Sequence, residues 1–282
     1  MPDLFAGKDS VAAMLIANAR MYAVNTSVAA TWRALLEWVI ARAGVACEVI
    51  DYPPPLPLPG LWARADLGCV FMCGFPIAMA QPAPRILAAP VATPERYRGQ
   101  PVYCTDIVVR ADSSHRQLDD LFGGLFAYTT EDSQSGYQAP RRLLAAFANG
   151  HDGKLFASTV GPLVTPRRVV EAVLGGEADA GPLDSYFHDL LRRHEPALAA
   201  QLRVLVSTRM TPNPALVAAP TVPEEIARRL TDALRGVADA PELATVRADL
   251  LLQGFTAVEA EAYASLGDAA RRVDATGYTR IA

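Results

Sequence analysis

Residues 132–140 read Asp132-Ser133-Gln134-Ser135-Gly136-Tyr137-Gln138-Ala139-Pro140. Two hydroxyls and a glycine stand directly before an apolar run, Leu143, Leu144 and Phe147, at helical spacing. The stretch is a loop feeding a helix N-terminus. The N–H groups of a first helical turn lack intrahelical partners and sit at the positive end of the helix dipole. Ser133 and Ser135 add hydroxyl donors, Gly136 lets a ligand approach the backbone, and Pro140 fits a first turn. Two readings follow: a cradle for a phosphate, phosphonate or carboxylate, or an ordinary cap.

On either side of this loop, short apolar runs alternate with helical ones. Upstream, Met14-Leu-Ile-Ala begins a strand within the apolar stretch Val11–Ala19, and Thr26 or Ser27 can cap a helix carrying Trp32, Leu35, Leu36, Val39 and Ile40. Cys47–Ile50, Asp66–Met72, Ile86–Val91 and Val102–Arg110 read as further strands; Gly74-Phe75-Pro76 ends one of them. Pro53–Pro59 is a stiff polyproline-like segment, predicted to be a surface connector. Downstream, Lys154–Thr159, Ala178–Leu183 and Arg203–Ser207 are predicted strands. Thr165-Pro166 starts a helix, Pro212-Asn213-Pro214 breaks the chain, and Pro223 leads into another helix. The alternation predicts an α/β protein with mostly parallel sheets and ligand sites beyond the strand ends, where Tyr22, Phe75 and Ser133–Tyr137 fall.

At 282 residues, 51% of them hydrophobic and 20% charged, the chain suits a soluble protein of two lobes. A net charge of −4 without a basic run gives no support for a nucleic-acid partner. An anion site must therefore be local. Asp3, Lys8 and Asp9 interrupt any secretory signal, so the protein is expected in the periplasm if a leader has been removed and in the cytoplasm otherwise. Cys47, Cys69, Cys73 and Cys104 lack metal-site spacing and read as core residues; no metal or cofactor is expected.

Several strings, in order, resemble the phosphate/phosphite/phosphonate-type substrate-binding proteins of ABC transporters. They are Asp106-Ile-Val-Val-Arg-Ala-Asp-Ser, Leu118-Asp-Asp-Leu-Phe-Gly-Gly, Asp132-Ser-Gln-Ser-Gly-Tyr, and Ala172-Val-Leu-Gly-Gly-Glu-Ala-Asp-Ala-Gly-Pro-Leu-Asp184-Ser-Tyr. Arg203-Val-Leu-Val-Ser followed by Pro212-Asn-Pro is a weaker element, and the likeness runs over most of residues 12–266. It implies a type II periplasmic-binding-protein fold: two α/β lobes joined by two crossing segments, near Tyr103–Ile107 and Leu205–Pro212, with the ligand between them. The first lobe would be 1–104 and 207–282 with the C-terminal helices, the second 105–206. The resemblance implies that Ser133, Gln134, Ser135, Gly136 and Tyr137 hold anionic oxygens and that Asp184 faces the cleft. Asp184 as a simple helix cap is the alternative. Tyr22 and Phe75 would supply cleft walls, and Tyr103 would line the cleft or serve only in the hinge. Relatives often carry a histidine or other polar residue in the loop before Thr165; here it reads Gly161-Pro-Leu-Val.

The function so implied is binding of a small oxyanion or zwitterion without turnover, with an ABC permease as partner and a monomer or weak dimer as the working form. Two other classes share the architecture. A thiamine-pyrimidine-precursor enzyme needs a committed lysine, histidine or metal cluster; Lys8 and Lys154 are the only lysines, and His115, His151, His188 and His194 are read as scattered over surface segments. A cytoplasmic ligand sensor would have to act through a partner.

Overall fold

The computed structural model describes residues 14–282; the readings of Asp3, Lys8, Asp9 and Val11 lie outside that range. The chain enters on β1 (Leu15–Asn18) and turns through Arg20–Tyr22 into α1 (Thr26–Ala43). The cap of α1 is Asn25 rather than Thr26 or Ser27: its side-chain oxygen accepts from the Val28 N–H at 2.9 Å. Val28, Trp32, Leu35, Leu36 and Val39 form the buried stripe. Gly44, at φ +60°, closes the helix by donating its N–H to the Ile40 and Ala41 carbonyls.

There follow β2 (Cys47–Val49), α2 (Leu58–Trp62), β3 (Leu67–Met72), α3 (Gly74–Met79) and β4 (Arg85–Ala92). Gly74-Phe75-Pro76 ends β3 as read and also forms the first turn of α3, where the missing proline N–H leaves no bond unmade. The predicted run Val102–Arg110 divides into β5 (Val102–Tyr103) and β6 (Thr105–Arg110). Next come β7 (Leu125–Ala127), α4 (Ala139–Ala148), β8 (Ser158–Val160) and α5 (Pro166–Leu174). The strand expected from Lys154 begins only at Ser158, because the Leu155 N–H is taken by the Ala282 carbonyl. β9 (Ala180–Asp184), α6 (Ser185–His194), α7 (Pro196–Ala199) and β10 (Leu202–Ser207) complete the middle of the chain. β11 (Thr211–Pro212) leads into β12 (Ala215–Ala218), α8 (Glu224–Arg235), α9 (Ala244–Asp249), β13 (Leu252–Thr256) and α10 (Ala260–Asp274).

These elements build two α/β lobes. One sheet runs β13-β4-β12-β3-β1-β2 and the other β10-β6-β9-β7-β8. The sheets are mixed rather than mostly parallel. β2, β1 and β3 are parallel, but β12 runs antiparallel between β3 and β4, and β13 antiparallel beside β4. β12 enters its sheet from the other lobe, so no helical crossover obliges it to run parallel. β6 likewise pairs antiparallel with both β9 and β10. β5 and β11 pair antiparallel as a ribbon between the two sheets. β3, Leu-Gly-Cys-Val-Phe-Met, is buried along its whole length, as a strand covered on both faces must be.

Packing crosses between the two sheets as well. Tyr186, Phe187 and Leu190 of α6 join the core that surrounds β1, β3 and β12. Val273, Tyr278 and Ile281, at the C-terminal end, pack with Phe126, Leu144 and Phe156 around β7 and α4.

Candidate ligand site between the lobes

A cavity of about 460 Å³ lies between the lobes. Arg20 and Met21 reach it from the turn after β1, Pro54 to Trp62 from the segment around α2, and Cys73 from the end of β3. Across from them stand Thr129 to Gly136, Val164 to Arg168, and Asp184 with Phe187. The cavity thus sits beyond the ends of β1, β3, β7 and β9, where an α/β sheet presents its loops.

The Ser133–Gly136 loop has a more particular geometry than a simple helix start. Gln134–Gln138 forms one wide π-type turn before α4. Ser133 is its cap, with Oγ accepting from the Gly136 N–H at 2.9 Å. The Gln134 N–H points to Cys73 Sγ at 3.3 Å. Part of the amide set is therefore used within the turn, and the hydroxyls of Ser133 and Ser135 lie at the cavity wall. Gly136 is required by space: a Cβ there would overlap Thr129 Oγ1 and press on Ser133 Oγ. Thr129 is buried, and its hydroxyl has no hydrogen-bond partner among the described residues although the residue lines the cavity. An unpaired buried hydroxyl is costly, and this one is packed against Gly136 rather than exposed to the cavity.

Asp184 combines two geometries. It caps α6, with Oδ1 accepting from the N–H groups of Tyr186 at 2.8 Å and Phe187 at 3.1 Å. Its Oδ2 accepts from the Tyr22 hydroxyl at 3.3 Å, and the residue lines the cavity. Burial pushes its carboxyl up to about 7, against the hydrogen bonds from Phe187, Tyr186 and Tyr22 that favour the anion.

The remaining residues expected at the site stand elsewhere. Tyr22 is packed among Trp32, Phe71 and Tyr186 and meets the cavity through Asp184. Tyr103 is fully buried in the β5–β11 ribbon, its hydroxyl without a partner among the described residues. Tyr137 stacks edge-on against Tyr128 and accepts from the Ile281 N–H, so it faces the lobe core. The Gln134 side chain and Phe75 are absent from the cavity wall, and Gln134 borders a separate cavity beside α10 and Arg209.

Sequence reading passed over Arg20, Thr129 and the Pro54–Trp62 wall. Arg20 donates to the Tyr52 carbonyl at 3.0 Å and lies over the Tyr52 ring, with no carboxylate partner among the described residues. Its signal was position, two residues before Tyr22 at the exit of β1. Arg167 and Arg168 also line the cavity, but their guanidinium groups pair with Glu195 and Glu171. Thr165 caps α5, its Oγ1 accepting from the Arg168 N–H at 3.2 Å. Val164 beside it holds φ +66°, a strained conformation for a β-branched residue, fixed by its N–H bond to the Thr129 carbonyl. Pro53–Pro59, expected to be a connector, contributes to the cavity wall. The four cysteines are free, and burial pushes the Cys73 thiol up to about 11, yet Cys73 borders the cavity.

His188, expected on a surface segment, is buried next to the interlobe ribbon. Its Nδ1 meets Asp106 Oδ2 at 2.9 Å. Arg96 bridges Asp106 at 3.0 Å and Asp189 at 2.7 Å, and Ser207 donates to Asp106 at 2.7 Å. Burial alone would raise the Asp106 carboxyl; His188, Arg96 and Ser207 reverse this and hold it well below the usual carboxylate range.

Residues 26–263 match the family described as "ABC transporter, phosphonate, periplasmic substrate-binding protein". The chain belongs to that family. No curated protein matches the sequence. Among solved structures, a binding-protein component of an ABC phosphonate transporter from Pseudomonas aeruginosa superposes with a TM-score of 0.78 at 19% identity, over 93% of this chain and 87% of the other. PhnD1 from Prochlorococcus marinus, in complex with methylphosphonate, gives 0.74 at 15% identity over 93% and 98%. A Xanthomonas citri protein bound to ATP gives 0.66 at 17% identity over 93% and 98%. At such identities these likenesses speak for the fold, a type II periplasmic-binding-protein architecture. Among the described residues, no helix is long and apolar enough to cross a membrane.

Proposed function

We propose that this phosphonate-family binding protein captures a small oxyanion, or a zwitterion with an oxyanion head, in the interlobe cavity and delivers it to an ABC permease without turnover. The observation that carries this reading is a set of hydrogen-bond donors on the two facing sides of the cavity. It comprises Ser133 and Ser135 on one side and, across the cavity, the Arg20 guanidinium, which donates to the Tyr52 carbonyl and has no carboxylate partner among the described residues. Such groups recognise negative oxygens by charge-assisted hydrogen bonds. Asp184 beside them suits the role, because a carboxyl that titrates near neutrality can keep its proton and donate it to the ligand. Two bare anions at that separation would repel. Solved relatives on this fold carry methylphosphonate in one case and ATP in another, which supports phosphorus oxyanions as the ligand class. Lobe closure about the β5–β11 ribbon would enclose the ligand.

Calorimetric titration with phosphate, phosphite, methylphosphonate and aminoethylphosphonate tests this. At least one should bind with micromolar or tighter affinity. Ser135→Ala should weaken that binding by about 10- to 100-fold, the equivalent of roughly 1.5–3 kcal/mol for one charge-assisted bond. A panel with no binder, or an unchanged affinity in Ser135→Ala, would remove the proposal.

A further inference from the structure

We infer that the ligand carries a bulky apolar or aromatic substituent on its oxyanion head, and that the Pro54–Trp62 wall is the site for that substituent. The inference rests on the oxyanion reading above and names the substrate class more narrowly. A water molecule's share of liquid volume is about 30 Å³, and the cavity, at about 460 Å³, is many times larger. Phosphate or methylphosphonate would fill only a small part of it.

The chemistry of the walls is divided accordingly. The polar groups belong to Arg20, the Thr129–Gly136 segment, the Thr165–Arg168 turn and Asp184, whereas Met21, Val24, Pro54, Pro57, Leu58 and Trp62 line the Arg20 side with apolar surface. Ligand pockets commonly take this form, a few placed polar groups against an apolar lining that recognises the ligand's body. Every residue from Pro53 to Pro59 is apolar, yet only Leu58 is half-buried and the other six are exposed. A run of that kind on the outer surface is an unfavourable use of apolar side chains. Pro54, Pro57, Leu58 and Pro59 of this run line the cavity, where they form a recognition surface.

The wall is also held in place. Proline rings fix the backbone of Pro53–Pro55, Pro57 and Pro59. The Tyr52 hydroxyl donates to the Pro57 carbonyl at 3.0 Å, and the Trp62 indole N–H donates to the Phe71 carbonyl at 2.9 Å. Arg20 fastens Tyr52 in turn. A surface ordered in advance loses little conformational entropy when it closes on a ring, and an indole offers that ring a stacking partner.

The test compares phenylphosphonate with methylphosphonate by calorimetry on the purified protein, with tryptophan fluorescence followed in parallel. Phenylphosphonate should bind about tenfold or more tightly, as expected for burying a ring, and should change the protein's tryptophan emission. In Leu58→Asn the ratio of the two affinities should collapse toward one. Pro59→Ser, on the exposed rim, serves the same comparison if Leu58→Asn melts at a lower temperature than the parent. Methylphosphonate binding as tightly as phenylphosphonate would overturn the inference and leave the oxyanion reading standing. Loss of binding to both, with phosphate and phosphite also inactive, would overturn the oxyanion reading and this inference with it.

Discussion

Asp184 stands in two settings at once, a helix cap and the cavity wall. Its two N–H acceptances at the start of α6 are those of an ordinary cap, and the same carboxyl borders the cavity. The sequence alone left cap and cleft as alternatives; geometrically they coexist. Because burial raises its folded value to about 7 while an unfolded aspartate titrates near 3.9, the native state holds the proton over a wider range. Stability from this group is therefore full below about pH 4 and declines as pH rises through 7, by at most about 1.4 kcal/mol per pH unit. An oxyanion should follow the same direction, binding more weakly as Asp184 ionises. Asp184→Asn should flatten the affinity profile between pH 6 and about 8. Calorimetry at three pH values with a ligand that does not titrate in that range decides it; a slope retained in the asparagine variant would assign the dependence to another group.

The serine-glycine turn explains what was and was not legible at the level of elements. A hydroxyl-rich loop and a helix were readable at residues 132–148 because periodicity and cap chemistry are local. The π-type turn was not readable, since it depends on Thr129, across the loop, occupying the space where a side chain at 136 would go. The same distinction holds elsewhere. α1 was visible from its stripe, but β12 and β13 are short, and their pairing with β3 and β4 arises from chain segments far apart in sequence. Pro53–Pro59 displayed its stiffness in the sequence but not the cavity it faces. Gly136→Ala tests the turn. The added methyl must displace Thr129 Oγ1 and Ser133 Oγ, so the variant should lose about 1–3 kcal/mol of stability through overpacking. Ligand affinity should fall with it, because the turn carries Ser133 and Ser135 to the cavity wall. Thermal melting and titration of the same sample measure the two effects. Unchanged values for both would mean that the turn relaxes freely and that its geometry does not define the site.

The lobes exchange pieces, and that shapes what closure can be. α6 gives Tyr186, Phe187 and Leu190 to the core around β1 and β3, with the Tyr186 hydroxyl on the Leu250 carbonyl at 2.6 Å. The C-terminal residues go the other way, and Arg141 fastens them. Its buried guanidinium donates to Asp274 at 2.5 Å, to the Tyr278 and Thr279 carbonyls, and to Gln138 Oε1 at 2.9 Å. These contacts tie the two lobes together away from the β5–β11 ribbon. The clasp can be tested on stability without reference to any ligand. Arg141→Ala strands two carbonyls and a carboxylate and should destabilise the protein by about 2–4 kcal/mol. Arg141→Lys should recover little, because a single ammonium cannot span a partner set arranged for a planar guanidinium. Urea unfolding of the two variants reads the result. An unchanged midpoint in Arg141→Ala would show that the C-terminal segment adds nothing to the stability of the lobe it packs against, and full recovery by lysine would show that charge alone, not the fork of donors, holds it there.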